Sequence, residues 1–377
     1  MNSLMPPLHV RAGAPLGQTV HHHRADLAQA LAERTPLAEL PDVLGRAYNL
    51  CGRAHTLAAR LALAAVGTLA PVPSGESLRA LHAETWLEHT RRLHLDWPRL
   101  LLAGDPTLAD GQSAALQALR RCPVPLHQPL TGLPCADALR ALTEWQVQSA
   151  LGQSVDTWLG AWNKHGVQAL AEWAARADTW LARTLRRALA VQASLAPERH
   201  TRCAALEFHH DADRCAAFAE AVLAQPTLAA EPVIDGAPCH TGTWSRGHGP
   251  AATLLAMLGR RIAEWLRLLM SATRPLLATQ ARRCGQRAAW AWVEMARGLL
   301  LHVVELGTDG GVARYRVVAP TEWNFHPLGA AARRISDLRP MDAAQAAQQV
   351  SLVMAAYDPC VPFIVEPAEL PKEVLHA

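Results

Sequence analysis

The sequence predicts a mainly helical protein with one small β element near its C-terminal end. Three observations carry this. Alanine and leucine dominate while the chain has only 4 Phe and 3 Tyr, a composition that favours helix over sheet. Apolar residues recur at helical spacing over long stretches, 37–69, 76–96, 136–195 and 251–284. Only beyond Ala289 does the pattern turn to strand, with a glycine-rich turn between runs. The 12 tryptophans lie mostly in the helical stretches and point to thick helix–helix packing.

Taken in order, residues 1–23 carry Gly and Pro and read as a short strand plus loop. They end in His21-His22-His23; adjacent residues do not share a helix face, so this triplet reads as a solvated turn rather than a nickel or zinc site. Asp26 to Glu33 predicts a short helix, closed by Arg34-Thr35-Pro36. From Leu37 to Leu69 the pattern is helical and, after His55, apolar nearly all round. Such a helix belongs inside a protein and takes Cys51 and His55 with it. An amphipathic helix from Glu76 to Asp96 follows, with Leu78, Leu81, Trp86, Leu93 and Trp97 on its apolar side. Glu84, Glu88, His89 and His94 read as solvated charge on this helix rather than as a metal face.

Residues 103–111 and 122–135 connect around a short helix, and a long helical region runs from Ala136 to about Leu195. Cys203, His209, His210, Asp211, Asp213 and Cys215 form the most ligand-like local cluster, but their spacing matches no metal motif. Asp211 or Asp213 reads as the cap of a helix reaching Leu223. Pro226 to Pro250 is a connection, followed by helix from Ala251 to about Cys284. Strands are predicted at Trp290–Val293, Leu299–Leu306 and Tyr315–Ala319, with hairpin-turn chemistry at Gly307–Gly311. A last helix, Met341–Ala356, leads into Cys360. The chain reads as a single unit: 1–36 as strand and loop, 37–285 as helical body, 286–340 as β element, 341–377 as C-terminal helix and tail.

The net charge of +3 is small for 377 residues and forms no basic stripe, which argues against a nucleic-acid partner. None of the 8 cysteines forms a C-x-x-C pair, so no zinc ribbon, iron–sulfur cluster or thioredoxin-like site is indicated. The most apolar run, Leu61 to Val72, is too short to span a bilayer, and no secretory signal opens the chain. The expectation is a cytoplasmic protein with reduced thiols and no membrane partner.

Two stretches at opposite ends organise the rest. Tyr357-Asp358-Pro359-Cys360 places a thiol on a backbone fixed by Pro359. Arg46-Ala47-Tyr48-Asn49-Leu50-Cys51 precedes His55. Together they resemble the two halves of the nickel–iron site of [NiFe]-hydrogenase large subunits, R-x-C-G-x-C-x-x-x-H and D-P-C-x-x-C-x-x-H/R. Cys51 falls on the second cysteine of the first motif, which bridges the two metals, and Tyr48 on its first. Arg46 falls on the Arg. Asp358, Pro359 and Cys360 match the last motif, where Phe363 replaces the bridging cysteine and Glu366 the final basic residue. Glu294-Met295-Ala296-Arg297-Gly298 resembles E-x-P-R-G, and Tyr315 to Asn324 resembles Y-x-x-V-x-P-[ST]-T-W-N. His240 to Arg246 is more faintly similar to E-T-G-P-L-A-R.

The resemblance implies a shortened, hydrogenase-large-subunit-like helical bundle. It also implies that Arg297 and Thr321 donate hydrogen bonds to iron-bound cyanides, with Pro320 as an apolar wall. Cys51 and Cys360 are the remaining candidate metal ligands, with His55, Arg46 and Asp358 around them; His55 reads as a hydrogen-bond partner of the thiolates rather than a ligand. A soft nickel site wants four thiolates, so replacement by Tyr48 and Phe363 predicts no nickel and no hydrogenase turnover. A relative that keeps the iron pocket in this way looks like the HupK/HoxV family of hydrogenase maturation proteins. That implies a non-enzymatic scaffold that transiently holds Fe(CN)2(CO). Its expected partners are the apo large subunit, a HypC-type carrier and the HypC–HypD iron-assembly complex. The alternatives are a metal-free large-subunit mimic that organises maturation factors, and a hydrogenase with an altered site.

Overall fold

The computed structural model describes residues 6–21, 26–72, 74–103, 109–124, 136–197, 199–200, 203–246, 253–270 and 276–366. His22, His23 and Cys135 lie outside them. The β signal beyond Ala289 becomes an antiparallel sheet of four strands in the order Thr279–Arg283, Ala288–Met295, Gly298–Leu306, Val312–Val318. Every residue of Ala288–Met295 is buried, because both faces of the sheet are covered. Period-2 alternation sorts its side chains. Ala289 and Ala291 meet Ala59, Ala62 and Leu63 of the helix Gly52–Val66. Trp290 and Trp292 meet Cys215, Phe218 and Val222 of the helix Ala212–Ala224, which Asp211 caps. Small residues admit a close helix on one side, and indoles fill a wider gap on the other.

The helical body packs around one cluster that includes Trp86, Trp97, Trp145, Trp158, Trp173, Trp180 and Trp265. At its centre lies Leu254–Met270, with 13 of 17 residues buried. The chain ends also meet. Leu8–Arg11 pairs in parallel with Phe363–Glu366, and antiparallel with Val20–His21.

Several boundaries differ from the sequence reading. The 37–69 stretch is broken: helix Leu40–Ala47, a single tight turn Asn49–Cys51, then Gly52–Val66. The helix after Met270 does not continue to Cys284; Thr279–Arg283 is a polar edge strand, so the β element starts before residue 286. Polar edge residues carry no alternation to reveal them. The 226–250 connection contains a hairpin, Val233–Ile234 with Ala237–His240, turned by Asp235 and Gly236 at φ 51° and 76°. The largest correction concerns Ser74–Arg91 and its continuation as one wide π-helical turn, Arg92–Asp96. Glu88, His89 and His94 are buried, not solvated, because this helix runs between the central helix and the helix Gly52–Val66. Among the described residues no group of three or more His, Cys, Asp or Glu is arranged to hold a metal, and no helix is long and apolar enough to cross a membrane.

Candidate functional site

Asp358 is the residue on which the site is built. It ends the helix Ala343–Tyr357 in the left-handed conformation, φ 54°, which Asp tolerates better than most residues. Its buried carboxylate receives three arginines: Arg261 at 2.7 Å on Oδ2, and Arg92 at 2.7 Å and Arg297 at 3.4 Å on Oδ1. Burial alone would raise the Asp358 pKa, but Arg297, Arg92 and Arg261 hold it well below the usual carboxylate range. The π turn aims Arg92 at this group, and Arg92 also donates at 3.0 Å to the Met354 carbonyl, which accepts the Asp358 N–H as well.

Arg297 is held from two sides. Its Nε faces Asp358, while both terminal nitrogens reach Glu88 Oε2 at 3.3 and 3.2 Å. Burial disfavours its charge, yet Asp358 and Glu88 more than reverse this and fix it as a cation. Arg297, Glu88 and Cys360 line an open cavity of about 580 Å³, together with Leu50, Arg92, Leu95, Pro359 and Phe363. Behind that wall Thr321 Oγ1 lies 3.0 Å from Cys360 Sγ and accepts the Cys360 N–H at 3.3 Å. One threonine therefore sets both the backbone and the sulfur of this thiol. Thr321 follows the buried Pro320, which opens the short helix Pro320–Asn324.

The motif stretches lock onto one another here. Leu299 N–H donates to Thr241 Oγ1 at 2.9 Å, and Thr241 N–H donates to Asn324 Oδ1 at 2.9 Å. Gly298 has φ 133°, and a Cβ there would come within 2.6 Å of the Thr241 side chain. Only glycine allows that crossing. Arg246 bonds Glu264 and the Met295 carbonyl and lies 3.3 Å from Glu294, which also accepts His209 at 2.6 Å. A buried relay continues from Glu264 through His89, 2.8 Å away, to Arg261. Burial lowers His89 to about 4, whereas Arg246 and His89 outweigh burial and bring Glu264 to about 2. Their contact is a hydrogen bond from a neutral imidazole. Burial also brings Arg261 down to about 10, against the pull of Asp358.

Cys51 sits on the opposite side, between the tight turn and the helix Gly52–Val66. The turn is held by a close crossing, since a Cβ on Gly52 would lie 2.5 Å from the Gly45 carbonyl. Glu84 caps the new helix, accepting the Arg53 and Ala54 N–H groups at 2.8 and 3.0 Å, and burial raises its pKa to about 7. The Cys51 thiol packs among Ala54, Leu57, Leu81, Met295 and Ala319. Burial, then the nearby Cys360, raises its pKa well above the ordinary value, with Arg297 opposing. His55 hydrogen-bonds His302 at 3.0 Å, and His302 bonds the Tyr315 hydroxyl at 2.8 Å. Tyr48 stacks on His55 at 4.0 Å between ring centroids.

The structure thus brings Cys360, Arg297, Pro320, Thr321 and Asp358 to one place, with Cys51 within electrostatic reach. Arg46 is not part of it. That residue is exposed in the last turn of Leu40–Ala47, where a cation suits the helix dipole. Sequence reasoning missed Glu88, Arg92 and Arg261. Arg261 had a signal, a charge on the apolar side of a helix whose neighbours are Leu258, Ile262 and Trp265. Glu88 and Arg92 had none, because they read as one polar face.

The sequence is 34% identical to the hydrogenase expression/formation protein HoxV of Cupriavidus necator, over 94% of each chain. This chain belongs to the HoxV/HupK family of hydrogenase expression/formation proteins. The HupK protein of Rhizobium leguminosarum bv. viciae is 29% identical over 88% of this chain and 87% of its own. No protein-family model matches the sequence. Among solved structures, the Ni-Fe-Se hydrogenase from D. vulgaris Hildenborough superposes with TM-score 0.55 at 15% identity, covering 91% of this chain and 93% of that chain. The Desulfomicrobium baculatum Ni-Fe-Se hydrogenase does so at 0.52 and 12%, covering 93% and 95%. This HoxV/HupK-family protein therefore has the [NiFe]-hydrogenase large-subunit fold.

Proposed function

We propose that this HoxV/HupK-family protein is a non-catalytic scaffold in hydrogenase maturation. It takes up Fe(CN)2(CO) as cargo and passes it to the apo large subunit. The supporting observation is that Cys360 and Arg297 line one cavity and the Thr321 hydroxyl lies 3.0 Å from the Cys360 sulfur, while no thiol stands at Tyr48 or Phe363. A cyanide nitrogen is an anionic acceptor, and a buried guanidinium beside a hydroxyl suits it. Cys360 and Cys51 would supply sulfur to iron, with Cys51 losing its proton on binding. Two thiols cannot make a four-thiolate nickel site. The cavity opens to solvent beside exposed Leu50 and Leu95, which gives a HypC-type carrier, or the HypC–HypD complex, a face from which to deliver the fragment.

The metal-free reading draws on one observation, the packing of Cys51 among Ala54, Leu57, Leu81, Met295 and Ala319, where burial favours the protonated thiol. Infrared spectroscopy on protein purified without oxygen, from cells making the full maturation machinery, separates the two. The scaffold reading expects cyanide and carbonyl stretches that vanish in Cys51→Ala. Absence of both bands and bound iron in the unaltered protein would leave the metal-free mimic.

A further inference from the structure

A second cavity has no part in this reading. It measures about 610 Å³ and, among the described residues, shares no lining side chain with the cavity at Cys360. Thr243, Arg246, Arg260, Glu264 and Arg267 line it, so three guanidinium groups stand against a single carboxylate. We propose that it binds the phosphate group of a small molecule, held by Arg260, Arg267 and the Thr243 hydroxyl.

The central helix makes the site. Residues 260, 264 and 267 are spaced by four and three, which puts them on one face of Leu254–Met270. Arg261, one position on, turns to Asp358 instead. Both oxygens of Glu264 accept from Arg246, and one also accepts from His89. Arg246 is fixed in turn by the Met295 carbonyl and Glu294. The charges of Arg246 and Glu264 thus cancel, and Arg260 and Arg267 keep the cavity positive. Burial lowers the pKa of both; Arg267 adds to this at Arg260, and Glu264 opposes it at Arg267. Two half-buried like charges on one helix face gain from an anion between them. Arg267 gives an N–H to Asn163 Oδ1, and a guanidinium carries five.

Thr243 is an independent sign of a ligand. The residue is 5% exposed, yet its Oγ1 has no hydrogen-bond partner among the described residues. The turn around it is closed without it, by Ser245 on the N–H and carbonyl of Gly242. A buried hydroxyl left unsatisfied is costly, and an anionic oxygen satisfies it. Two guanidinium forks and a hydroxyl offer more donors than the two oxygens of a carboxylate use well, and they suit a phosphate. The cavity is larger than a bare phosphate needs. Trp162, stacked on Trp158 with 5.9 Å between ring centroids, gives the rest of the molecule an apolar wall.

The test is isothermal titration calorimetry on the full chain at constant ionic strength, with inorganic phosphate, adenosine 5′-monophosphate and acetate as probes. The nucleotide should bind at least as tightly as free phosphate, and acetate about tenfold more weakly than either. Arg260→Gln and Arg267→Gln should each weaken nucleotide binding about tenfold, and Thr243→Val about threefold. Near-ultraviolet circular dichroism checks folding; if one arginine variant is not folded, the other decides. Three results overturn the site: no binding of either phosphate, acetate binding as tightly as phosphate, or nucleotide binding unchanged in the folded variants. Free phosphate binding more tightly than the nucleotide would overturn the small-molecule ligand and leave the inorganic ion as the source. None of these results depends on the infrared bands, so the site stands or falls apart from the cargo reading.

Discussion

The two halves of the pocket are built from opposite materials. Around Asp358 the wall is ionic: Arg92, Arg261 and Arg297 converge on one carboxylate, with Glu88 closing the ring. Around Cys51 it is neutral: Tyr48 stacks on His55, which joins His302 and Tyr315 in a buried hydrogen-bond chain. The ionic half keeps the residues that resemble an iron–cyanide pocket. The neutral half has an aromatic ring where the resemblance implies a nickel thiolate. Charge that is multiply paired survives burial, whereas stacked rings without charge need no counter-ion.

This comparison can be broken at four points of decreasing effect. Asp358→Ala leaves three buried arginines without their common anion, and should cost about 3–5 kcal/mol in urea denaturation. A loss under about 1 kcal/mol would mean that the ionic half is not held by this carboxylate. The next effect is pH-dependent. Burial lowers His302 from 6.5 to about 3, so on acidification the unfolded chain takes up a proton there first. Its contribution is fully present above pH 6.5 and is lost as pH falls toward about 3. The slope is about 1.4 kcal/mol per pH unit. His302→Gln should show a shallower acid dependence than the unaltered protein between pH 6.5 and 5; parallel curves would show His302 already charged in the folded state.

Tyr48→Ala removes only a stacked ring and should lower stability by about 0.5–1.5 kcal/mol beyond its lost burial. Iron-associated cyanide bands should stay unchanged, since Tyr48 stacks on His55 and supplies no sulfur or hydrogen-bond donor to the fragment; their loss would make the ring part of the grip. Arg46→Ala is the smallest step. The residue is exposed on its helix, so neither the unfolding midpoint nor the infrared bands should move. A lost band would return Arg46 to the pocket that the motif resemblance assigns it.

Much of this protein was legible in one dimension. Composition and period gave a helical body with a late β element, because apolar spacing reports which faces are buried without any knowledge of partners. The motif order gave the fold, and gave Cys360, Arg297 and Thr321 as neighbours. What remained hidden was of two kinds. The strands Thr279–Arg283 and Phe363–Glu366 are edge strands whose reason for being extended lies on another segment. Glu88, His89 and His94 read as solvent-facing charge, since a polar stripe on a helix looks the same whether it meets water or a buried network.

The sequence by itself determined that the body is helical, that no thiol stands at positions 48 and 363, and the family to which the chain belongs. Tertiary structure alone decided which charges are paired. Arg261, Arg92 and Arg297 come from three distant segments and share Asp358 only after folding, because ion pairs depend on distances through space that no local pattern encodes. The same holds for the difference between Arg46 and Arg297. Both are arginines in a recognisable motif, and only the fold buries one of them.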